Sequence, residues 1–265
     1  MAAVTLVGGL LMTNSVARGE PAPPWDSDAS PGLAALASAS QQDRYAFVIF
    51  WKENNDQTQR MLHVLQSEMR NLSDQANVVN VCVTDLRERK TVEVFGLNRA
   101  PLPLVAAVAP NGAVTKAWPL QLRDNQLQEG IVSNATARCM KALQDQKLVL
   151  LCVQNAKTAH STASLQAAAR FKADARFAAA TEVVALDPAD AREASFLQSL
   201  QVNPQTPDAV TVLLAPPGRP VARFAGAVTT DEIVAKVVSA QSGCCPGGQC
   251  GQDGCCPGGK CGPAR

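Results

Sequence analysis

Chemistry is concentrated at one end of this chain. Gly243-Cys-Cys-Pro-Gly-Gly-Gln-Cys-Gly251 is followed, after Gln-Asp, by Gly254-Cys-Cys-Pro-Gly-Gly-Lys-Cys-Gly262, one unit written twice, and the pair holds six of the nine cysteines. The repeat contains no Val, Ile, Leu or aromatic residue, so no packed core accounts for it. Its glycines and prolines oppose a regular helix or strand. What it offers is a high local density of thiols on a flexible arm. Thiolates are soft ligands that suit Cu(I) and Zn(II), and closely spaced thiols also exchange disulfides.

Three readings follow for Cys244, Cys245, Cys250, Cys255, Cys256 and Cys261. In the first they bind a thiophilic metal. Each unit supplies a Cys-Cys-(x)4-Cys trio, and the Pro-Gly-Gly turn can fold the third thiolate back onto the first two. Three thiolates suit Cu(I), whereas Zn(II) prefers four ligands and would make the units share. In the second reading the tail is a swinging thiol-exchange arm. In the third it is an inert staple, with bridges running between the units because adjacent cysteines pair only through strain. The spacing is not that of a zinc ribbon.

Composition narrows the partners. The 265 residues carry 24 Lys+Arg against 23 Asp+Glu and are 46% hydrophobic, enough for two modest cores. With no basic cluster and with three Trp, one Tyr and seven Phe, neither an electrostatic footprint for nucleic acid nor a base-stacking platform is present. A protein partner is the expectation. The apolar run from Met1 to Met12 is too short to span a bilayer, and Ser15-Val16-Ala17 fits a signal-peptidase site, although no Lys or Arg precedes the run. Residues 1–17 therefore read as a signal peptide and 18–31 as a Pro-rich linker, with no membrane span in the mature chain. Export to a periplasmic or secreted location would put the tail where thiols pair or bind metal.

Between the linker and the tail the chain alternates apolar strands with amphipathic helices, twice. Tyr45–Trp51 is a buried strand, Gln57–Leu72 carries Met61, Leu62, Leu65, Met69 and Leu72 at helical spacing, and Asn77–Thr84 is a second strand. Asp85-Leu-Arg-Glu88 has the form of a capping box. Pro110-Asn111-Gly112 is a hairpin turn between Pro103–Ala109 and Ala113–Trp118, and a last helix is expected from about Asp124. The order recurs with strands at Lys147–Val153 and Glu182–Leu186 around a helix at His160–Ala173, and a helix opening at Asp187-Pro188. Strands at Ala209–Ala215 and Pro220–Phe224 and a helix opening at Thr230 complete the second pass. Phe50 and Cys152 lie 102 residues apart, as do Asp85 and Asp187, while Gly112 and Gly218 lie 106 apart. The register points to an internal duplication.

The order β-α-β-α-β-β-α with a Pro before the third strand resembles the thioredoxin fold. Phe-Trp-Lys-Glu at 50–53 is similar to the lead into the thioredoxin active-site loop. Leu102-Pro103-Leu104-Val105 is similar to the family's cis-proline strand, with Thr206-Pro207 in the equivalent place of the second copy. The resemblance implies an α/β protein of two tandem thioredoxin-like domains, each a central mixed sheet flanked by helices, over residues 32–138 and 139–241. A disordered Cys/Gly/Pro-rich tail follows over 242–265. Pro103 and Pro207 are then the cis-proline candidates. Redox members of the family carry Cys-x-x-Cys after the first core strand, at a helix N-terminus that lowers thiol pKa. Here those positions read Asn54-Asn55-Asp56-Gln57-Thr58 and Gln154-Asn155-Ala156-Lys157-Thr158, without a cysteine. No catalytic residue is assigned.

Cys82 and Cys152 sit in apolar strands and Cys139 on a helix four residues from Leu143, so all three read as small core hydrophobes. His63 reads as a surface residue of its helix. His160 opens the second-copy helix near the place of a thioredoxin cysteine, with no partner identifiable from the sequence. The resulting expectation is an exported, non-catalytic protein whose tail binds Cu(I) or Zn(II) and whose body docks a protein partner. The alternatives are a thiol-disulfide exchange protein acting through the tail and a redox-inactive scaffold or peptide-binding module.

Overall fold

The computed structural model describes residue 25 and residues 29–241. Tyr45–Trp51 (β1) runs through the middle of the first sheet, because an unbroken YAFVIFW run suits only a strand covered on both faces. It pairs in parallel with Ala76–Cys82 (β2) and antiparallel with Leu104–Val108 (β3), and Val114–Pro119 (β4) closes the order β2-β1-β3-β4. Helix Pro31–Gln41 (α1) covers one face and Asp56–Met69 (α2) the other. The short helix Arg89–Val94 (α3) follows β2. The Asn-Gly turn between β3 and β4 forms as expected, with Gly112 at φ 85° and the Asn111 carboxamide accepting from the Ala113 N–H at 3.1 Å.

The second unit repeats the sheet. Leu148–Val153 (β5) lies between Thr181–Leu186 (β6) and Val210–Ala215 (β7), and Arg219–Ala225 (β8) forms the far edge, in the order β6-β5-β7-β8. Its helices are Asn134–Gln144 (α4), Ser161–Ala173 (α5), Ala194–Ser199 (α6) and Thr230–Gln241 (α7).

Three details depart from the sequence reading. First, the helix expected from about Asp124 is a 3-10 turn at Leu127–Gly130 followed by α4. Helix α4 packs Cys139, Ala142 and Leu143 on the second sheet, so it is the opening helix of that unit, the counterpart of α1. The turn presses directly on the first sheet. A Cβ at Gly130 would stand 2.6 Å from the Ala107 Cβ and 2.9 Å from the Trp118 ring, so only glycine fits there. In the second unit α7 fills the corresponding face with Ile233 and Val237.

Second, the internal register is not 102. Ala46, Val48 and Phe50 face α1, whereas Val149, Leu151 and Val153 face α4, so Phe50 corresponds to Val153 rather than to Cys152. A slip of one residue moves every side chain to the other face of a strand. The counterpart of Asp85 is Asp190, which accepts from the Arg192 N–H as Asp85 does from the Arg87 N–H. Asp187 caps only a turn, accepting from the Ala189 N–H at 2.9 Å.

Third, Glu88 does not close a capping box. It is buried and reaches the start of α1, where its carboxylate accepts from the Gly32 N–H at 3.0 Å and the Thr91 hydroxyl at 2.8 Å. Glu193 does the same at the start of α4, accepting from the Ser133 hydroxyl and, at 2.6 Å, from the Thr136 hydroxyl. Each buried carboxylate meets the positive end of a helix and is bonded there, as a charge removed from water must be. Helix α4 also joins the units. Ala137 and Met140 pack on the first core, and the Gln144 carboxamide bonds both backbone groups of Val114, at 3.0 and 2.7 Å.

Candidate functional site

In each unit the loop after the central strand and the segment before the third strand come together at one end of the sheet. In the first unit residues 52–56 are exposed, and Asn55 caps α2 by accepting from the Thr58 N–H at 3.0 Å. The buried Thr58 hydroxyl donates to the Glu53 carbonyl at 2.8 Å, which fixes the loop without any thiol. Gln57 reaches across to the Leu120 carbonyl at 2.8 Å. Leu120, at φ 64° and 44% exposed, then shares with Gln57, Arg60, His63 and Val64 the wall of a cavity of about 300 Å³. The peptide bond from Leu102 to Pro103 is cis. His63 is exposed on α2.

The second loop is knotted more tightly. Asn155 donates to the Thr158 hydroxyl at 3.0 Å, and its side chain bonds Asp187 at 2.9 Å. The Ala189 N–H first and then that amide hold the Asp187 carboxyl below the usual carboxylate range. Ala159 then forms a parallel bridge with Asp208. Its N–H donates to the Pro207 carbonyl at 2.8 Å, and its carbonyl accepts from the Ala209 N–H at 2.9 Å. Among the described residues no backbone bond joins residues 52–55 to residues 100–103 in this way. His160 caps α5 from the left-handed region at φ 61°, with Nε2 3.9 Å from an Asp208 oxygen. That acidic neighbour lies 48 positions along the chain and was not legible in the sequence.

Pro207 requires a correction. The second cis bond among the described residues is Pro216–Pro217, in the β7–β8 turn, and not Thr206–Pro207. In this unit Pro207 instead supplies the carbonyl that Ala159 uses.

The described thiols are dispersed. Cys139 and Cys152 are buried, and burial pushes their pKa up to about 12 and about 11. Glu193 adds to the effect at Cys139, while the Thr211 hydroxyl opposes it at Cys152. Cys82 departs from its expected core role. It is half-buried at the end of β2 with its sulfur 3.2 Å from the Thr84 hydroxyl. Among the described residues no three His, Cys, Asp or Glu side chains are grouped to hold a metal ion, and no helix is long and apolar enough to cross a membrane. The tail cysteines, Cys244, Cys245, Cys250, Cys255, Cys256 and Cys261, and residues 1–17 lie outside the described residues.

No family model and no curated protein matches the chain. Solved structures do. Each unit is a four-stranded sheet whose middle strand is flanked by one parallel and one antiparallel neighbour, with helices on both faces. That strand order and pairing make the fold thioredoxin-like, twice over. The first two thioredoxin domains of Saccharomyces cerevisiae Eps1p are 9% identical, cover 81% of this chain and 98% of that one, and superpose with a TM-score of 0.29. Human ERp44 in its zinc-bound form is 8% identical over 79% of this chain and 57% of that one, at 0.30. A disulphide isomerase from Xylella fastidiosa Temecula1 is 18% identical over 36% and 78%, at 0.25.

Proposed function

We propose that this is an exported, non-catalytic thioredoxin-like protein. Its duplicated cysteine-rich tail takes a thiophilic ion, Cu(I) or Zn(II), while its double-domain body docks a protein partner. One observation carries the reading. Six cysteines are gathered in two copies of Cys-Cys-Pro-Gly-Gly-x-Cys-Gly, while the loops where this fold places its redox pair hold Asn, Asp, Gln, Ala, Lys and Thr. Soft-ligand clustering of this kind is what a thiophilic ion selects. Binding releases thiol protons, so affinity falls as the medium is acidified.

Native mass spectrometry of protein purified without reductant or chelator tests the proposal. Added mass matching copper or zinc, lost on deleting residues 243–265, is expected. Removing one unit should halve bound copper, because each trio serves one Cu(I), but should abolish tight zinc binding, because Zn(II) needs ligands from both. A bare mass with hydrogens missing in pairs sinks the metal reading and turns attention to thiol exchange.

A further inference from the structure

Among the described residues β2 and β6 are unpaired on their outer sides, and the two edges differ at equivalent positions. On the second unit's edge strand β6, Glu182 is held by Arg138 of α4 at 3.1 Å and by Lys172 of α5 at 2.8 Å. The places of Arg138, Lys141 and Glu182 are taken in the first unit by Ala35, Ser38 and Asn77. Residues 31–41 and 76–82, the whole of α1 and β2, include no Asp, Glu, Lys, Arg or His. Where the ion pairs are missing, a depression of about 510 Å³ opens along β2, walled by Ala35 and Ser38 on one side and by Met69 and Ser73 on the other. Val78 on its floor is 41% exposed.

Edge strands are normally guarded by charge, proline, a bulge or shortness. Strand β2 has none of these guards. It pairs with β1 over seven residues without a register shift, so its outer side is a straight row of backbone donors and acceptors in which the Ala76 carbonyl already accepts from Arg44. The cation at the end of the groove is already committed, since Arg44 donates to the carbonyls of Ser73 and, at 2.8 Å, Ala76.

We propose that this edge is a dimer face, on which a second copy of the chain adds its own β2 antiparallel and joins the two first-unit sheets into one. A partner strand bearing charges would have to desolvate them against uncharged α1 and β2, whereas this face meets itself with only Arg44 charged, at the end of the groove and already bonded to two carbonyls. Two-fold pairing also requires facing residues to lie on the same side of the sheet. Centred on Val78, the pairing sets Val78 against the second copy's Val78, Asn77 against its Val79 and Ala76 against its Asn80. Small Ala35 and Ser38 leave room for the two α1 helices to approach.

Sedimentation velocity on the full chain in reductant tests this independently of the tail. A species of twice the chain mass is expected, and it should persist when residues 243–265 are deleted. Val78→Lys places like charges across the dyad and should raise the dissociation constant at least about tenfold. Val238→Lys, at an exposed position of α7, should leave it unchanged. The pair Ala35→Arg and Asn77→Glu rebuilds the second unit's guard and should give a monomer with an unchanged melting temperature. A wild-type monomer overturns the proposal, as does a dimer indifferent to Val78→Lys or one that needs the tail.

Discussion

The loops that follow β1 and β5 are alike in what they lack and different in how they are closed. Neither holds a cysteine. The first is tied by Asn55 and Thr58 to its own helix and leaves the segment before β3 unpaired with it among the described residues. The second is bridged by Ala159 to residues 207–209, so the backbone groups that an extended ligand could use there are taken. Duplicated units that keep one fold have diverged where the fold does chemistry. Among the described residues the sheet end remains open in the first unit, and in the second the chain occupies it. Docking of a protein partner is therefore a property to seek in the first unit.

The same contrast runs through the opening helices. In the first unit the buried carboxylate takes one hydroxyl, Thr91 of α3, beside the Gly32 N–H, whereas in the second it takes two, Ser133 and Thr136 at the start of α4. Because Glu88 approaches the helix backbone, a Cβ at Gly32 would lie 2.7 Å from its oxygen, whereas the counterpart Ala135 is accommodated. The three tryptophans, Trp25, Trp51 and Trp118, all belong to the first unit, so their fluorescence reads that unit while circular dichroism reads both.

The largest effect should come from the carboxylates. Glu88→Ala and Glu193→Ala each strand buried hydroxyl or amide donors and should cost about 3 kcal/mol in urea unfolding. Glu88→Ala should shift fluorescence and dichroism, and Glu193→Ala dichroism alone. Coincident shifts for both variants would mean that α4 welds the units into one cooperative body.

Alkaline pH should separate the units next. A thiol whose folded pKa is raised keeps its proton longer than in the unfolded chain. Its contribution is complete below the ordinary value of 9.0 and is lost as pH rises toward about 12 for Cys139 and about 11 for Cys152. Both thiols belong to the second unit, which should lose about 1.4 kcal/mol per pH unit per thiol above that point. Burial also raises Tyr45 of the first unit, but from 10.0, so between pH 9 and 10 the dichroism transition should move ahead of the fluorescence one. Equal movement would remove the thiol explanation.

The smallest test contrasts the caps. Asn55→Ala removes an acceptor from the first turn of α2 and should cost about 1 kcal/mol. His160→Gly relieves a left-handed residue at the start of α5 and should gain about 0.5 kcal/mol. Opposite signs in thermal melts sharpen the comparison, and a loss at His160 would instead make its approach to Asp208 a stabilising contact.

Helix α1 was not read from the sequence, but the order of the strands, the Asn-Gly hairpin, the absence of cysteines from both loops and the repeated thiol unit were all legible there. Each rests on local composition and periodicity, which a single chain carries. The register of the duplication was not. Alternating apolar strands fit equally well when slipped, and only the faces chosen by α1 and α4 showed that Phe50 matches Val153. Glu88 had the spacing of a surface capping box, yet its carboxylate is spent on a helix start 56 residues away. Pro207 sat at the right place in the pattern, but Ala159 took its carbonyl. The sequence determined that no thiol stands in either loop after the central strand, because an absent thiol is absent in any conformation. Only the tertiary structure decided which backbone edges, carboxylates and loops are already occupied, because partners distant along the chain set those pairings.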